Sequence, residues 1–265
     1  MANTISYSKV VNAVNSMYEE CGIQNPLQLP LEVIVNSKNI FLKEEEMDSA
    51  EGRIIMRGDV GIITINSKIE YPAKKRFVLA HEFGHFVLHK NVKKIFNDTE
   101  DTLNQWYQNN FGVEEIEANE FAAEFLMPSK LFYEECKGKK FGPEVIDYLC
   151  DKFQVSKTAA ILRFAKRGNH PIFVVYCKDN KTKWWKKSDD FRYFHEFEYD
   201  KKPPGDSVAY EVFTSQSYYK DEERKQTIWK STWFNLKANE KESIFYEYCL
   251  FVKAYNYSLS VIWED

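Results

Sequence analysis

The sequence predicts an α+β fold. Residues 72–89 and 114–127 place apolar side chains three and four apart, which is the helical period. Short β-branched and aromatic runs, bounded by glycine, proline and asparagine, recur between and after them, which is the pattern of strands. With 265 residues, 44% of them hydrophobic, the chain can bury one large core or two modest ones. A net charge of −4 gives no global attraction to nucleic acid.

Each element follows from local signals. Residues 4–20 have amphipathic spacing without an apolar signal core and read as a first helix ending near Gly22. Pro26 and Pro30 punctuate the loop before a short helix at 31–37. Strands at 40–43, 52–56 and 61–65, with Arg57-Gly58-Asp59 as a turn, predict a small antiparallel sheet. Pro72 suits the first turn of the helix that follows. The polar stretch 91–112 reads as a long loop in which Trp106 and Tyr107 can cover a cleft. A second helix, rich in helix formers, stops at Pro128. Residues 143–153 and 156–167 form a helical pair around Gln154-Val155, with Ser156 as N-cap. Beyond His170 come Trp184, Trp185, Trp229, Trp233 and Trp263, strand-like runs at 172–176, 191–197, 208–213 and 259–263, and a helix at 241–252. The predicted domains are therefore 1–140, 141–168 and 169–265.

The chemistry is concentrated in RFVLAHEFGHFVLH, residues 76–89. His81 and His85, four apart, project from one helix face, so their imidazoles can grip one metal ion. Glu82 lies beside that face, where its carboxylate can act as base on an attacking water. Catalytic zinc takes three protein ligands and keeps a fourth position open, so one more ligand is needed. The acidic helix supplies candidates. Glu115 shares a small, largely apolar stripe with Ala118, Asn119, Ala122 and Leu126, whereas Glu117 shares a solvated face with Glu120 and Glu124. A carboxylate on a packed stripe needs a partner, which makes Glu115 the predicted third ligand and Glu117 the reserve. Asn119 can hydrogen-bond a ligating histidine and fix its tautomer.

RFVLAHEFGHFVLH together with EIEANEFAAEFLMP, residues 115–128, resembles the ImmA/IrrE family of metallopeptidases over roughly residues 1–168. The resemblance implies a zincin-like domain of gluzincin type, with Glu115 as ligand and Asn119 four residues on. It implies a Zn²⁺ cofactor, Mn²⁺ being acceptable to the same donors. It further implies an endopeptidase that cleaves a helix-turn-helix (Cro/CI-like) repressor in a DNA-damage, mobile-element or anti-phage response. The C-terminal α+β region, 169–265, would be a sensor module of GAF-like type. The alternative is a regulatory DNA- or ligand-binding protein whose zinc is structural.

Other candidates carry paired readings. Gly61, Ile62, Ile63 and Thr64 are either a sheet edge that pairs with an extended substrate or one strand of an ordinary hairpin. Residues 156–167 resemble half of a helix-turn-helix with a basic patch at Arg163, Lys166 and Arg167, or are a packing helix. Lys183, Trp184, Trp185 and Lys186 mix bases and aromatics as single-stranded DNA binders do, or form a hairpin with one core tryptophan. The oxyanion stabiliser is open among Tyr71, Tyr107 and the remaining histidines. Five scattered cysteines without a CxxC pair, and no run long enough to span a membrane, predict a cytoplasmic protein that does not use membranes.

Overall fold

The computed structural model describes residues 6–90, 96–98, 112–193, 198–215 and 223–264. They form a mixed α+β chain divided into two compact units: Met1–Glu135 with Leu149–Ser156, and Cys136–Tyr148 with Lys157–Asp265. The expected cleft-covering Trp106 and Tyr107 lie outside the described residues.

The first unit begins with α1 (Tyr7–Cys21), whose Val10, Val14, Met17 and Tyr18 are buried on one face at helical spacing. Helix α2 (Leu31–Asn36) leads into strands β1 (Ile40–Glu45), β2 (Gly52–Arg57) and β3 (Val60–Asn66). Helix α3 (Pro72–Leu88) follows, then β4 (Phe96–Asp98), α4 (Val113–Leu126) and α5 (Ser129–Cys136). The strand order is β1-β3-β2-β4.

This order corrects two expectations. The sheet is mixed rather than antiparallel, because β1 runs parallel to β3. Residues 46–51 carry the chain across the end of β3 into β2, which then turns back on β3 as an antiparallel neighbour. Buried Asn66 holds that crossover, its amide donating to the carbonyls of Met47 and Ala50. Gly61, Ile62, Ile63 and Thr64 are therefore not a free edge. Strand β3 is bonded to β1 on one side and β2 on the other, so its backbone has no ladder left for a peptide.

Helix α3 lies between this sheet and α4, and glycines make both approaches possible. A side chain at Gly52 would collide with Glu82 and Val78. One at Gly84 would press on the Phe121 ring of α4 at 3.0 Å. Phe83, Phe121 and Phe125 fill the seam, with ring centroids 5.7–5.9 Å apart. On α4, Ala118, Asn119, Ala122 and Leu126 are buried, as the small stripe predicts. The supposedly solvated face is a correction: Glu117 and Glu124 are buried too. Glu124 accepts hydrogen bonds from the Tyr7 hydroxyl of α1 and from the backbone and hydroxyl of Ser129, so a charged face is covered because it is satisfied.

In the second unit, β5 (Phe173–Lys178), β6 (Lys181–Lys187), β7 (Glu223–Trp229), β8 (Ile244–Val252) and β9 (Tyr257–Glu264) form an antiparallel sheet ordered β6-β5-β9-β8-β7. Helix α6 (Pro143–Phe153), whose residues from Leu149 on belong to the first unit, precedes α7 (Lys157–Arg167); α8 (Val208–Thr214) and α9 (Lys230–Trp233) complete the described α-helices. One sheet face packs Phe173, Val175, Cys177, Phe245 and Ile262 with Val208, Ala209 and Val212 of α8. On the other face Trp263 meets Phe141 edge-on at 4.9 Å, and Phe141 meets Phe164 of α7.

Three readings change here. Residues 208–213 are helical: Ser207 caps Tyr210, and the buried residues 208, 209, 212 and 213 follow a helical period. Residues 244–252 are a strand rather than part of a helix, since β8 runs between β7 and β9 with its backbone in both ladders. The run 191–197 is no strand over 191–193, where Phe191 is packed in the core, and 194–197 lie outside the described residues. The proposed basic patch is also reduced, because Arg163 is only 3% exposed.

Candidate metal centre

Helix α3 buries His81, Glu82 and His85 completely. Four-residue spacing brings the two imidazoles together with ring centroids 4.7 Å apart and Nε2 atoms 3.0 Å apart. Glu115, in the first turn of α4, brings its buried Oε2 to 3.4 Å from both Nε2 atoms, and that oxygen makes no hydrogen bond. Burial would raise the Glu115 carboxyl pKa, but the two histidines outweigh it and hold the group well below the usual carboxylate range.

The outer ring atoms show what these three groups point at each other. Asn119 Oδ1 lies 2.8 Å from His81 Nδ1; an amide oxygen only accepts, so His81 carries its proton there and presents a bare Nε2. His85 Nδ1 lies 3.1 Å from His89 Nδ1, and His89 Nε2 lies 3.1 Å from Glu117 Oε2. The same carboxylate takes a 2.8 Å hydrogen bond from Lys9 of α1. Two imidazole Nε2 atoms and one carboxylate oxygen thus converge on one point, where a cation would be held by all three. Tetrahedral zinc with ligands at about 2.0–2.1 Å has ligand–ligand edges of about 3.3 Å, close to the spacing seen. The donor set therefore fits a zinc-sized divalent ion. Among the described residues, His81, His85 and Glu115 are the group able to hold one.

Glu82 is aimed at the sheet side of α3, into the room that Gly52 leaves on β2. Other candidates do not join it. Gly61 packs against the Phe86 ring, and Tyr71 is an exposed residue at the start of α3, about 15 Å along the helix from His81. Lys183, Trp184, Trp185 and Lys186 lie on β6 in the second unit. Trp184 is buried against the ring of Tyr176, and Trp185 stacks on Phe173. A base therefore finds no free Trp184 face, which corrects that half of the nucleic-acid expectation.

Sequence reasoning missed His89 and misplaced Glu117. The signal for His89 was present, because it continues the four-residue series His81, His85, His89 on the same helix face. Burial, with the neighbouring His85 and Lys9, presses the His89 pKa below its ordinary value, while Glu117 opposes them. Burial raises the Glu117 carboxyl pKa, but Lys9 and His89 together bring it below its ordinary value.

A histidine pair on a buried helix, facing a glutamate from a second helix, is a donor set able to hold a divalent metal ion. Residues 37–165 match the peptidase M78 family, described as the IrrE N-terminal-like domain, and this segment is similar to the ImmA/IrrE metallopeptidases. Every member of the His81–Asn119 constellation lies inside the matched stretch. No curated protein matches the chain. A solved structure titled "Mycobacterium tuberculosis transcriptional regulator" shares the fold, with a TM-score of 0.61 and 13% identity. That alignment covers 97% of this chain and 76% of the other.

Proposed function

We propose that this protein is a zinc-dependent endopeptidase in which His81, His85 and Glu115 hold the metal and Glu82 is the general base. The observation that carries the reading is the convergence of two imidazole Nε2 atoms and one carboxylate oxygen beside a buried glutamate. When bound, zinc would supply Lewis acidity to the scissile carbonyl and lower the pKa of water at the site. Glu82 would take the proton from the attacking water and deliver it to the leaving amine, a role worth about 10²- to 10⁴-fold. Asn119 would keep His81 in the tautomer that leaves Nε2 free. Three converging protein groups, among the described residues, favour a catalytic over a structural metal, since structural sites close with four.

The substrate we propose is a partner helix-turn-helix repressor of Cro/CI-like type, its cleavage switching on a damage, mobile-element or anti-phage response. The match of residues 37–165 to the IrrE N-terminal-like family supports this, and a shared fold with a chain titled a transcriptional regulator fits the setting. We place the protein in the cytoplasm. Its five cysteines form no disulfide, and no described helix is long and apolar enough to cross a membrane. Single-stranded DNA as activator would have to engage β6 through Lys183, Trp185 and Lys186. The test is co-expression with a Cro/CI-like repressor encoded beside the gene. The repressor should be cut by the native chain and remain intact with Glu82→Gln, while both proteins hold zinc equally. Cleavage by Glu82→Gln would refute the mechanism.

A further inference from the structure

We propose that His89, Glu117 and Lys9 form a positioning chain that sets the tautomer and direction of His85 for its metal. This rests on the metal site proposed above and extends it outward by three residues. The chain links three helices. His89 caps α3, Glu117 belongs to α4 and Lys9 to α1, with contacts of 3.1 Å from His85 to His89, 3.1 Å from His89 to Glu117 and 2.8 Å from Glu117 to Lys9.

Proton counting gives the chain a direction. A carboxylate paired with lysine only accepts, so the Glu117 contact requires a proton on His89 Nε2. A neutral imidazole carries one N–H, which leaves His89 Nδ1 as an acceptor. His85 must then donate from its own Nδ1, and its Nε2 keeps the lone pair that faces His81 and Glu115. The opposite pattern would put a proton on His85 Nε2, where a cation needs that lone pair. Asn119 does the same for His81 with a single residue. Packing alone does not explain the arrangement. Glu117 is 6% exposed and His89 4%, and apolar residues would fill the same space without charge to desolvate.

The test is zinc competition against a chromophoric chelator, using the metal-stripped full chain with folding checked by circular dichroism. Wild type should bind one zinc. Glu117→Ala and His89→Ala should bind it about 10- to 100-fold more weakly, the usual cost of losing such a partner. Glu117→Gln, which keeps an acceptor oxygen for His89, should stay close to wild type. If wild type binds zinc and the alanine variants match it, or if glutamine costs as much as alanine, the positioning chain is overturned while the metal site stands. If wild type itself takes no zinc, the metal reading fails first. Should an alanine variant not fold, long-range ¹H–¹⁵N spectra of zinc-loaded wild type decide. A proton on His89 Nε2 with bare Nδ1 supports the chain, and a proton on Nδ1 overturns it.

Discussion

At the residue scale, the candidate site divides into what one helix contains and what several helices assemble. His81, Glu82 and His85 are legible in sequence because their spacing on a single helix fixes their mutual placement. Glu115 is legible through its stripe of small neighbours, which predicts the face that meets α3. His89 and Glu117 were harder, since their meeting depends on how α1 and α4 cross α3, and no local period reports that. Two predictions belong here. Glu115→Ala should lose zinc outright, whereas Glu82→Gln should keep it; metal content after gel filtration distinguishes them. The second concerns acid. The folded pKa of Glu117 lies below its unfolded value, so its pairing stabilises above about pH 4.3 and is lost as pH falls through the folded pKa. Denaturant titrations of metal-free protein should therefore show less acid destabilisation in Glu117→Gln than in wild type. Equal slopes would argue against the assignment.

Elements show where local pattern misleads. Residues 208–213 carry β-branched and aromatic side chains, yet Ser207 caps them into a helix whose buried face packs on the sheet. The stretch 244–252 suits either state by composition, and its place between β7 and β9 decides. Within that strand, buried Glu247 accepts from the backbone of Val208 and Ala209, from Trp233 Nε1 and from the Ser260 hydroxyl. It ties α8 to β8 and β9, a use of charge that hydropathy hides. Glu247→Gln presents an amide N–H₂ to donors that need an acceptor, and should cost about 1–3 kcal/mol in denaturant melts. In the first unit, Gly52→Ala should push Glu82 aside, lowering turnover far more than zinc content. An unchanged turnover would show that Glu82 does not need that space.

For the whole molecule, the division into two compact units was not a matter of motifs. The α+β class, the helix pair carrying the metal donors and the change of composition after His170 are all visible in the chain. The mixed sheet and the interior position of β3 are not, because strand order depends on where connections cross. The metal donors all lie in the unit containing Met1–Glu135, so zinc binding should raise the melting transition of that unit. At 100 times Kd the gain is about 2.7 kcal/mol, readily seen by calorimetry.

The central claim is tested most directly by zinc K-edge absorption on the metal-loaded Glu82→Gln chain. The account predicts one zinc per molecule held by two imidazole nitrogens and one carboxylate, with a further light-atom position left for solvent. Four protein ligands, a sulfur in the coordination sphere, or a spectrum unchanged by Glu115→Ala would contradict it.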